Sequence, residues 1–329
     1  MRIVIAGAGS IGCFTGGLLA AAGHQVTLLG RPRILGEIAE HGLTCTDFSG
    51  MTQMIEADRL TLATDPTCLA DAEVVIVTVK SRATAEMTAL IAAHAPAQAP
   101  VISWQNGMDN GTSLRAGLVG RDVRAGMVPF NVVPSGAGCF HRATSGDIVI
   151  ETGAGDLAKA LNAPDLSVTE SARIEAVQWG KLVVNLNNAL NALSGLTILE
   201  QLSDRAWRRL MADQAAEAIR VLKAAGIEAQ PTTPLPVWMM PFVLRLPTAL
   251  FSRIAAQMLT IDPTARTSMA YDLAEQRPTE IDSLQGEIIA LGAQYGCETP
   301  VCVRVAELIN RASQEGVVQP QYSPKQIWG

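Results

Sequence analysis

The stretch that most constrains the fold of this chain is its beginning, residues 2–12, with the sequence RIVIAGAGSIG. Four consecutive apolar residues precede the first glycine, a pattern typical of a buried parallel strand. A G-x-G-x-x-G spacing follows, and the apolar residues then recur with a helical period. This order predicts a strand, a sharp glycine turn and a helix, the first unit of a Rossmann-type doubly wound α/β sheet.

Each glycine of this pattern has a physical role in binding a dinucleotide. Gly7 lets the chain turn sharply, Gly9 lets a pyrophosphate approach the backbone, and Gly12 allows the helix to pack closely on the strand. The N–H groups and the positive dipole end of the helix would face the phosphates. A glycine-rich turn without a ligand is the alternative, but a second strand pattern at residues 25–29 favours dinucleotide binding.

The end of the second strand indicates which nicotinamide dinucleotide is bound. Sites that prefer NAD place a carboxylate here, where it accepts a hydrogen bond from the ribose 2′-hydroxyl. This chain has Gly30 followed by Arg31, and Arg33 lies two residues further on. A guanidinium suits a 2′-phosphate, so we expect NADP(H), with Arg31 in its site. The alternative is that both arginines are solvated charges at a helix start.

Length, charge and cysteine content exclude several other classes of protein. A chain of 329 residues favours two domains, and a net charge of -6 without a dense basic run argues against nucleic-acid binding. The six scattered cysteines have neither C-x-x-C pairing nor histidines at metal-ligand spacing. We therefore expect reduced thiols, a cytoplasmic location and no metal. Polar residues and prolines interrupt the apolar stretches, so no targeting segment or membrane span is expected.

Two polar residues follow further apolar strands and are candidates for the same ligand site. Lys80 follows the apolar stretch 74–79, and Asn106 follows the stretch 101–104. Open α/β sheets bind ligands at the carboxyl ends of their parallel strands, so both residues are predicted to face the cofactor. The alternatives are an exposed charge at Lys80 and an ordinary Asn-Gly turn at Asn106.

The character of the sequence changes at about residue 171. We predict an NADP-binding Rossmann domain at residues 1–171 and an all-helical substrate and catalytic domain at residues 172–329. The helical patterns cover residues 172–193, 204–225, 248–259, 265–275, 279–295 and 301–314. The proline-rich segment 230–247 is predicted to be irregular, and residues 317–329 are predicted to form an extended tail.

Four local patterns together resemble the ketopantoate reductase (2-dehydropantoate 2-reductase) family. They are the glycine pattern with Arg31, Gln105-Asn106-Gly107, Lys181-x-x-x-Asn185, and Ser268 with the sequence RPTEID at residues 277–282. The resemblance extends over nearly the whole chain. It implies a Rossmann domain, a helical C-terminal domain and NADPH-dependent reduction of a 2-keto acid. The default substrate it implies is ketopantoate, reduced to pantoate in pantothenate biosynthesis.

The resemblance also implies roles for individual residues. Lys181 matches the catalytic lysine of the family, and Glu280 matches its active-site glutamate. Asn185 matches a substrate-binding asparagine, and Ser268 matches the serine that binds the substrate carboxylate. Asn106 matches a position that contributes to cofactor and substrate binding. The other positions that match the cofactor site of the family are Gly7, Gly9, Gly12, Arg31 and Lys80.

The chemistry of the lysine and asparagine pair agrees with these roles. Lys181 and Asn185 are four residues apart, so both project from one face of a helix. An ammonium group can stabilise a developing alkoxide and then protonate it. The reference pKa of lysine is about 10.4, so Lys181 would carry this proton at neutral pH. From the residues alone, a surface charge is the alternative for Lys181, and a carboxylate at a helix N-terminus is the alternative for Glu280.

Two positions depart from the family pattern and bear on the substrate. The second substrate-binding asparagine, one turn after Asn185, is here Ala189, and a cofactor-site glutamine three residues after Lys80 is here Ala83. Loss of an amide favours a 2-keto acid that lacks the ketopantoate hydroxyl, and the additional room at position 189 favours an apolar or bulkier side chain on it. The alternative functions are a related hydroxy-acid or imine dehydrogenase and a non-catalytic NADPH sensor. A homodimer is one possible assembly.

Overall fold

A computed structural model describes residues 1–232, 235–255 and 262–328 of the chain. The chain divides into two compact units, Met1–Glu175 and Ala176–Gly329. The first unit combines strands and helices around a parallel sheet, whereas the described residues of the second unit contain helices and no strand. The predicted fold class, a doubly wound α/β sheet followed by a helical part, is confirmed.

The first unit contains the strands and the first five helices. In chain order the strands are β1 Arg2–Ala6, β2 Gln25–Leu29, β3 Leu43–Asp47, β4 Thr52–Ile55, β5 Leu60–Ala63, β6 Val74–Val77, β7 Val101–Ser103, β8 Val123–Arg124, β9 Gly126–Met127, β10 Val132–Gly136, β11 Cys139–Arg142, β12 Ile148–Glu151 and β13 Val168–Ser171. The helices are α1 Ser10–Ala21, α2 Pro32–His41, α3 Thr84–His94, α4 Asn110–Gly117 and α5 Leu157–Leu161. Two smaller sheets, β10-β11-β3-β4 and β13-β12-β9, accompany the central one.

The central sheet has the strand order β5-β2-β1-β6-β7-β8, and all of its strands are parallel. The chain proceeds from β1 to one side through β2 and β5, then returns to the other side of β1 at β6. This reversal places the carboxyl ends of β1 and β6 next to each other at the topological switch point, where open α/β sheets bind ligands. The glycine turn follows β1 there, and Lys80 lies three residues beyond the end of β6.

Both faces of the central sheet are covered, which explains its uninterrupted apolar strands. Successive residues of β1 alternate between two apolar cores: Ile3 and Ile5 belong to one, and Val4 and Ala6 belong to the other. Helix α1 contributes Phe14, Leu18 and Leu19 to the first core, and helices α3 and α4 contribute Ile91 and Leu114 to the second.

The second unit is built from helices. They are α6 Ile174–Asn185, α7 Asn187–Ser194, α8 Ile198–Ser203, α9 Arg205–Ala224, α10 Met240–Arg245, α11 Thr248–Ile254, α12 Ser268–Ala274, α13 Glu287–Gln294, α14 Pro300–Gln314 and α15 Pro324–Trp328. A 3₁₀ turn precedes α10 at Val237–Met239, and a π-helical turn precedes α13 at Asp282–Gly286. Of the helix predicted at residues 248–259, residues 256–259 lie outside the described part of the chain.

Two helices that were predicted to be continuous differ from the prediction. The single helix predicted for residues 172–193 is interrupted at Leu186, between α6 and α7. The helix predicted for residues 279–295 starts later, at Asp282, and its first turn is π-helical. Both interruptions meet at one contact, because the Gln285 side chain of the π turn donates to the main-chain carbonyl of Leu186 at 2.8 Å. A contact between residues 99 positions apart leaves no signal in local periodicity.

The segment 230–247, predicted to be irregular, contains the 3₁₀ turn and α10. A buried arginine, Arg208 of α9, explains how this segment is held. Its guanidinium donates to the carbonyl oxygens of Leu244 and Leu246 at 3.2 and 3.1 Å and lies over the Phe251 ring at 4.3 Å. Trp238 and Phe242 of the same segment remain exposed.

Residues 317–329 were predicted to form an extended tail. This prediction is wrong, because helix α15 lies within these residues. Ile327 of this helix is buried, and the Ser323 N–H donates to the Gln326 side chain at 2.8 Å. A hydrogen-bonded start and one buried apolar side chain are enough to stabilise a single turn that periodicity does not reveal. Within the described ranges of the chain, no helix is both long and apolar enough to cross a membrane.

Candidate active site

The glycine turn after β1 is shaped by close packing at two of its three glycines. Gly7 has a φ of +123°, which side chains rarely adopt, and a Cβ there would lie 2.7 Å from the main-chain nitrogen of Val79. A Cβ on Gly12 would lie 2.3 Å from the carbonyl oxygen of Gly7. The Thr78 hydroxyl donates to that same carbonyl at 2.6 Å. These two glycines are therefore required by the fold itself.

Gly9 differs from its neighbours because it faces open space. A Cβ there would meet nothing within 4 Å, and Gly9 is the N-cap residue of α1 without a capping side chain. No acidic residue lies in the first turn of this helix. The main-chain N–H groups of the first turn are thus available to a ligand, and this end of α1 fits a pyrophosphate.

At the end of β2, close packing excludes the carboxylate that an NAD site would place there. A Cβ on Gly30 would lie 2.4 Å from the Cβ of Ala8. The next residue, Arg31, is the exposed N-cap residue of α2 and forms no ion pair with any residue in the described part of the chain. Arg33 instead pairs with Glu37 at 2.9 Å. Of the two arginines, Arg31 is the one that fits a 2′-phosphate.

Lys80 and Asn106 follow neighbouring strands of the central sheet. Lys80 is the partly buried N-cap residue of the 3₁₀ turn Ser81–Ala83, and Asn106 is exposed after β7. Between them lies a cluster of polar side chains that we did not predict from the sequence: Ser81, Thr84, Gln105 and Asn110. In the sequence, the signal for such a cluster is the presence of polar residues just after two strands that are adjacent in the sheet. Which of these residues form hydrogen bonds with each other depends on the fold.

Helix α6 carries Lys181 and Asn185 one turn apart. Just before them, Gly180 allows another segment to cross the helix in direct contact, since a Cβ at Gly180 would overlap the carbonyl oxygen of Gln230. The Gln230 N–H donates to the carbonyl of Ala176 at 2.8 Å, which fixes the crossing. Gly180 therefore determines how α6 is packed immediately beside the lysine.

The environment of Lys181 favours proton transfer near neutral pH. Burial lowers the pKa of its ammonium to about 8, because desolvation penalises the charged form. A general acid works best when its pKa lies near the operating pH. A solvated surface lysine would have no such shift, so this environment disfavours the alternative of an ordinary surface charge.

Two predicted substrate-binding groups have their hydrogen-bonding capacity unused. Asn185 is 8% exposed, and within the residues the structure describes its amide makes no hydrogen bond. The partly buried hydroxyl of Ser268, the first residue of α12, likewise makes none among the described residues. The polar atoms of both groups are therefore open to a hydrogen bond from a ligand.

Tertiary hydrogen bonds connect the segments that carry Ser268 and Glu280 to the lysine helix and its continuation. The Thr267 N–H, next to Ser268, donates to the Asn191 side chain of α7 at 3.1 Å. Glu280 is partly buried, and it precedes the π turn whose Gln285 binds Leu186. The structure thus brings both segments to α6 and α7.

Asn187 and Asn191, two of the asparagines near Ala189, do not replace its missing amide. Asn187 and Asn191 both donate to the Gln201 side chain, at 3.2 and 3.1 Å, and so belong to a buried internal network. Ala189 itself is fully buried. The additional room we predicted at position 189 is therefore not open to solvent.

All six cysteines are free thiols. In the described parts of the chain, no group of three or more His, Cys, Asp or Glu residues is arranged to hold a metal ion.

Two family models match consecutive parts of the sequence. Residues 3–155 match the family described as ketopantoate reductase PanE/ApbA, and residues 173–313 match the C-terminal domain of the same family. A 2-dehydropantoate 2-reductase of Halobacterium salinarum is 28% identical over 96% of this chain and 100% of its own length. A second 2-dehydropantoate 2-reductase, from Pyrococcus abyssi, is 26% identical over 92% of this chain and 94% of its own length.

Solved structures share the fold along nearly the whole chain. A PanE/ApbA family ketopantoate reductase from Ralstonia eutropha superposes with a TM-score of 0.80 at 28% identity, covering 96% of this chain and 99% of its own. A D-mandelate dehydrogenase in complex with NADH and anilino(oxo)acetate has a TM-score of 0.79 at 22% identity, with the same coverage. A dimeric ketopantoate reductase from Staphylococcus aureus has a TM-score of 0.67 at 20% identity, covering 96% and 100%.

Proposed function

We propose that this chain, which belongs to the ketopantoate reductase family, reduces a 2-keto acid to a 2-hydroxy acid with NADPH, with 2-dehydropantoate as the default substrate. The family consists of oxidoreductases that act on CH–OH groups, and relatives with this activity match the chain over nearly its full length. The observation that carries the proposal is the pair on α6. Lys181, whose pKa is lowered to about 8, lies one turn from an almost buried amide without a partner, Asn185.

The first unit is proposed to bind the cofactor. Gly9 and the uncapped start of α1 would receive the pyrophosphate, and Arg31 the 2′-phosphate that distinguishes NADP(H) from NAD(H). Lys80 and Asn106, at the ends of neighbouring strands, would bind the part of the dinucleotide that crosses the switch point. When bound, NADPH supplies the hydride for the keto carbon.

The second unit is proposed to bind the keto acid and to supply the proton. The Lys181 ammonium would donate a hydrogen bond to the keto oxygen, stabilise the negative charge that develops there, and transfer a proton to it. Asn185 would orient the substrate through its unused amide, and Ser268 would donate to the substrate carboxylate. Glu280 is proposed as the carboxylate that accepts a hydrogen bond from the product hydroxyl.

The choice of keto acid depends on the surroundings of Asn185. Without an amide at position 189, a hydroxyl on the substrate loses one partner, which costs about 1–3 kcal/mol when it is desolvated. The fold is shared with a D-mandelate dehydrogenase, so a 2-keto acid with an aromatic side chain is the second candidate substrate.

The test is NADPH oxidation with purified protein, measured by absorbance for ketopantoate, its deoxy analogue and phenylglyoxylate, the keto form of mandelate. We expect turnover of at least one, with the deoxy analogue competing well against ketopantoate. If ketopantoate exceeds the deoxy analogue several hundredfold in kcat/KM, another group replaces the missing amide. Tight NADPH binding without turnover of any 2-keto acid would favour a sensor. NADPH oxidation with imines alone, or NADP+ reduction with hydroxy acids whose keto forms lie outside this panel, would favour the other dehydrogenases.

Two further expectations accompany this function. We propose a cytoplasmic enzyme, in which the six free cysteines remain reduced. We also propose a homodimer, since the exposed apolar side chains of Trp238 and Phe242 are of the kind that subunit interfaces bury. Sedimentation of the natural chain and of Trp238→Ser checks the second point, and a monomer at all concentrations would contradict it.

A further inference from the structure

The ends of β6 and β7 are joined by the polar cluster of Ser81, Thr84, Gln105 and Asn110, which we call the amide cluster. Thr84, Gln105 and Asn110 are 3%, 6% and 6% exposed, so their polar groups are removed from water. Burying such groups is unfavourable unless each is hydrogen-bonded.

Asn110 lies at the start of α4 and bonds to both strand-end turns at once. Its Nδ2 donates to the carbonyl oxygen of Asn106 at 2.6 Å and to the Ser81 hydroxyl at 3.0 Å. The Ser81 hydroxyl in turn donates to the same Asn106 carbonyl at 3.3 Å. One amide group therefore connects the turn that follows Lys80 with the turn that contains Asn106.

The remaining bonds fix the orientation of the Asn110 amide. Its Oδ1 accepts from the Thr84 hydroxyl at 2.7 Å. That hydroxyl accepts from Gln105 Nε2 at 2.8 Å, and the same nitrogen donates to the Val79 carbonyl at 2.9 Å. Each member thus has a defined donor or acceptor role, so the amide of Asn110 is not free to flip.

We propose that Asn110 is a positioning residue for cofactor binding. It bonds to the main-chain carbonyl of Asn106 and to the hydroxyl of Ser81, the residue after Lys80. These two donated bonds fix the position of the turn after Lys80 relative to the turn that contains Asn106. An amide is required because only a side chain that donates twice and accepts once satisfies Asn106, Ser81 and Thr84 together. This inference rests on the proposed function in one respect, namely that Lys80 and Asn106 meet NADPH.

The decisive substitution is Asn110→Asp, which preserves size and the acceptor facing Thr84 but removes both donated bonds. The dissociation constant for NADPH, measured by nucleotide fluorescence without keto acid, is expected to rise about tenfold, the usual scale for one displaced hydrogen-bonding group. Asn110→Leu should give a similar rise, which separates the lost bonds from the added negative charge.

The matched control is Thr88→Val on α3. The Thr88 hydroxyl is also buried and bonded, but only to the Thr84 carbonyl of its own helix at 2.6 Å. Its loss should lower the melting temperature about as much as Asn110→Asp while leaving NADPH affinity within about twofold of the natural protein. An equal loss of affinity in Thr88→Val would reduce Asn110 to a general structural residue and overturn the proposal.

A double-mutant cycle with Asn106→Ala tests whether Asn110 acts through its neighbour. If it does, the affinity loss caused by Asn110→Asp should shrink to less than about threefold in the Asn106→Ala background. Fully additive losses would overturn the proposal.

A ligand-free measurement separates this inference from the proposed function. Amide hydrogen exchange in residues 105–110 of the free protein should accelerate in Asn110→Asp and not in Thr88→Val. If the natural protein does not bind NADPH, the proposed function fails, and the exchange experiment still reports on the two turns. Unchanged exchange in Asn110→Asp would show that Asn110 does not position them.

Discussion

At Gly9 the first unit is proposed to meet the pyrophosphate through the main chain, whereas the second unit is proposed to meet the keto acid through side chains. Around Gly9, the groups offered to a ligand are N–H groups of a helix start, and the absence of a Cβ is what exposes them. Around Lys181, they are an ammonium and an amide on α6 and a hydroxyl on α12. The first kind of site is formed as soon as β1 and α1 fold together. The second requires several distant segments to be fixed.

This difference is visible in how each region is held. In the first unit, the parallel register of β1 and β6 and close packing at Gly7 and Gly12 place the turn. In the second unit, buried amides connect the helices, with Gln285 at Leu186 and Asn191 at Thr267. Backbone-made sites therefore tolerate changes in distant side chains better than sites that depend on buried hydrogen bonds.

The largest effect is expected from removing the charge of Lys181. Lys181→Met keeps the side-chain length but cannot donate a proton, so kcat should fall about 10²–10⁴-fold, the range of a positioned proton donor. NADPH affinity and melting temperature should stay near those of the natural protein. The control is Lys223→Met, which removes an exposed lysine of α9. Near-normal turnover in Lys181→Met would contradict the proposed role as proton donor. A large drop in melting temperature would instead indicate that the lysine has a structural role.

Charge removal in the first unit should act on cofactor choice instead. Arg31→Ala should weaken NADPH about 10–100-fold, because a charge-assisted hydrogen bond contributes about 1.5–3 kcal/mol. NADH affinity should hardly change. Arg33→Ala is the matched control, since Arg33 is already paired with Glu37. Equal losses for NADPH and NADH would remove Arg31 from the phosphate site.

The pH dependence of the reaction should report the environment of Lys181. Because the protonated form is the active one in reduction, kcat/KM for the keto acid should be level below pH 8 and fall about tenfold per pH unit above the pKa of about 8. The value of kcat/KM falls with rising pH because deprotonation of Lys181 removes the proton donor. In the oxidation direction the neutral amine is needed, and the rate should instead rise through the same pH. A profile flat to pH 10 in both directions contradicts the assignment.

The smallest effects concern the glycines of the first unit and separate ligand contact from packing. Gly12→Ala should lower the melting temperature by several degrees, because overpacking costs about 1–3 kcal/mol. Gly9→Ala should leave the melting temperature of the free protein unchanged and abolish most of the stabilisation by NADPH. Gly36→Ala, another glycine with open space at its Cβ but inside helix α2, is the control: it should raise the melting temperature slightly and leave the stabilisation by NADPH unchanged. A normal NADPH shift in Gly9→Ala would contradict a pyrophosphate at that position.

Much of the first unit follows from local sequence. The glycine spacing and the apolar strands predicted a doubly wound sheet, and the structure confirms it. Neither the hydrogen bond of the Thr78 hydroxyl nor the amide cluster was predicted from the sequence. Most of their bonds join residues at least 21 positions apart, and each is made by an ordinary polar residue whose partner depends on which strands are neighbours.

In the second unit, the helices could be predicted from the sequence, but the positions at which they are interrupted could not. Lys181 and Asn185 share a face because helical geometry relates residues four apart, and this needs no tertiary information. Ser268 and Glu280 were assigned by resemblance, and their roles, like those of the other site residues, stay predictions. The interruption at Leu186 and the π turn arise from a contact that only the folded chain makes.

The sequence alone therefore determined the order of strands and helices, the glycine turn and the one-turn spacing of the lysine and asparagine. Only the tertiary structure decided that Gly180 is crossed by Gln230, that Ala189 is fully covered, and that burial lowers the pKa of Lys181. The physical reason is the distance along the chain over which each effect acts. Periodicity and turn chemistry act over a few residues, whereas desolvation and close packing depend on whichever distant segments surround a side chain in the folded protein.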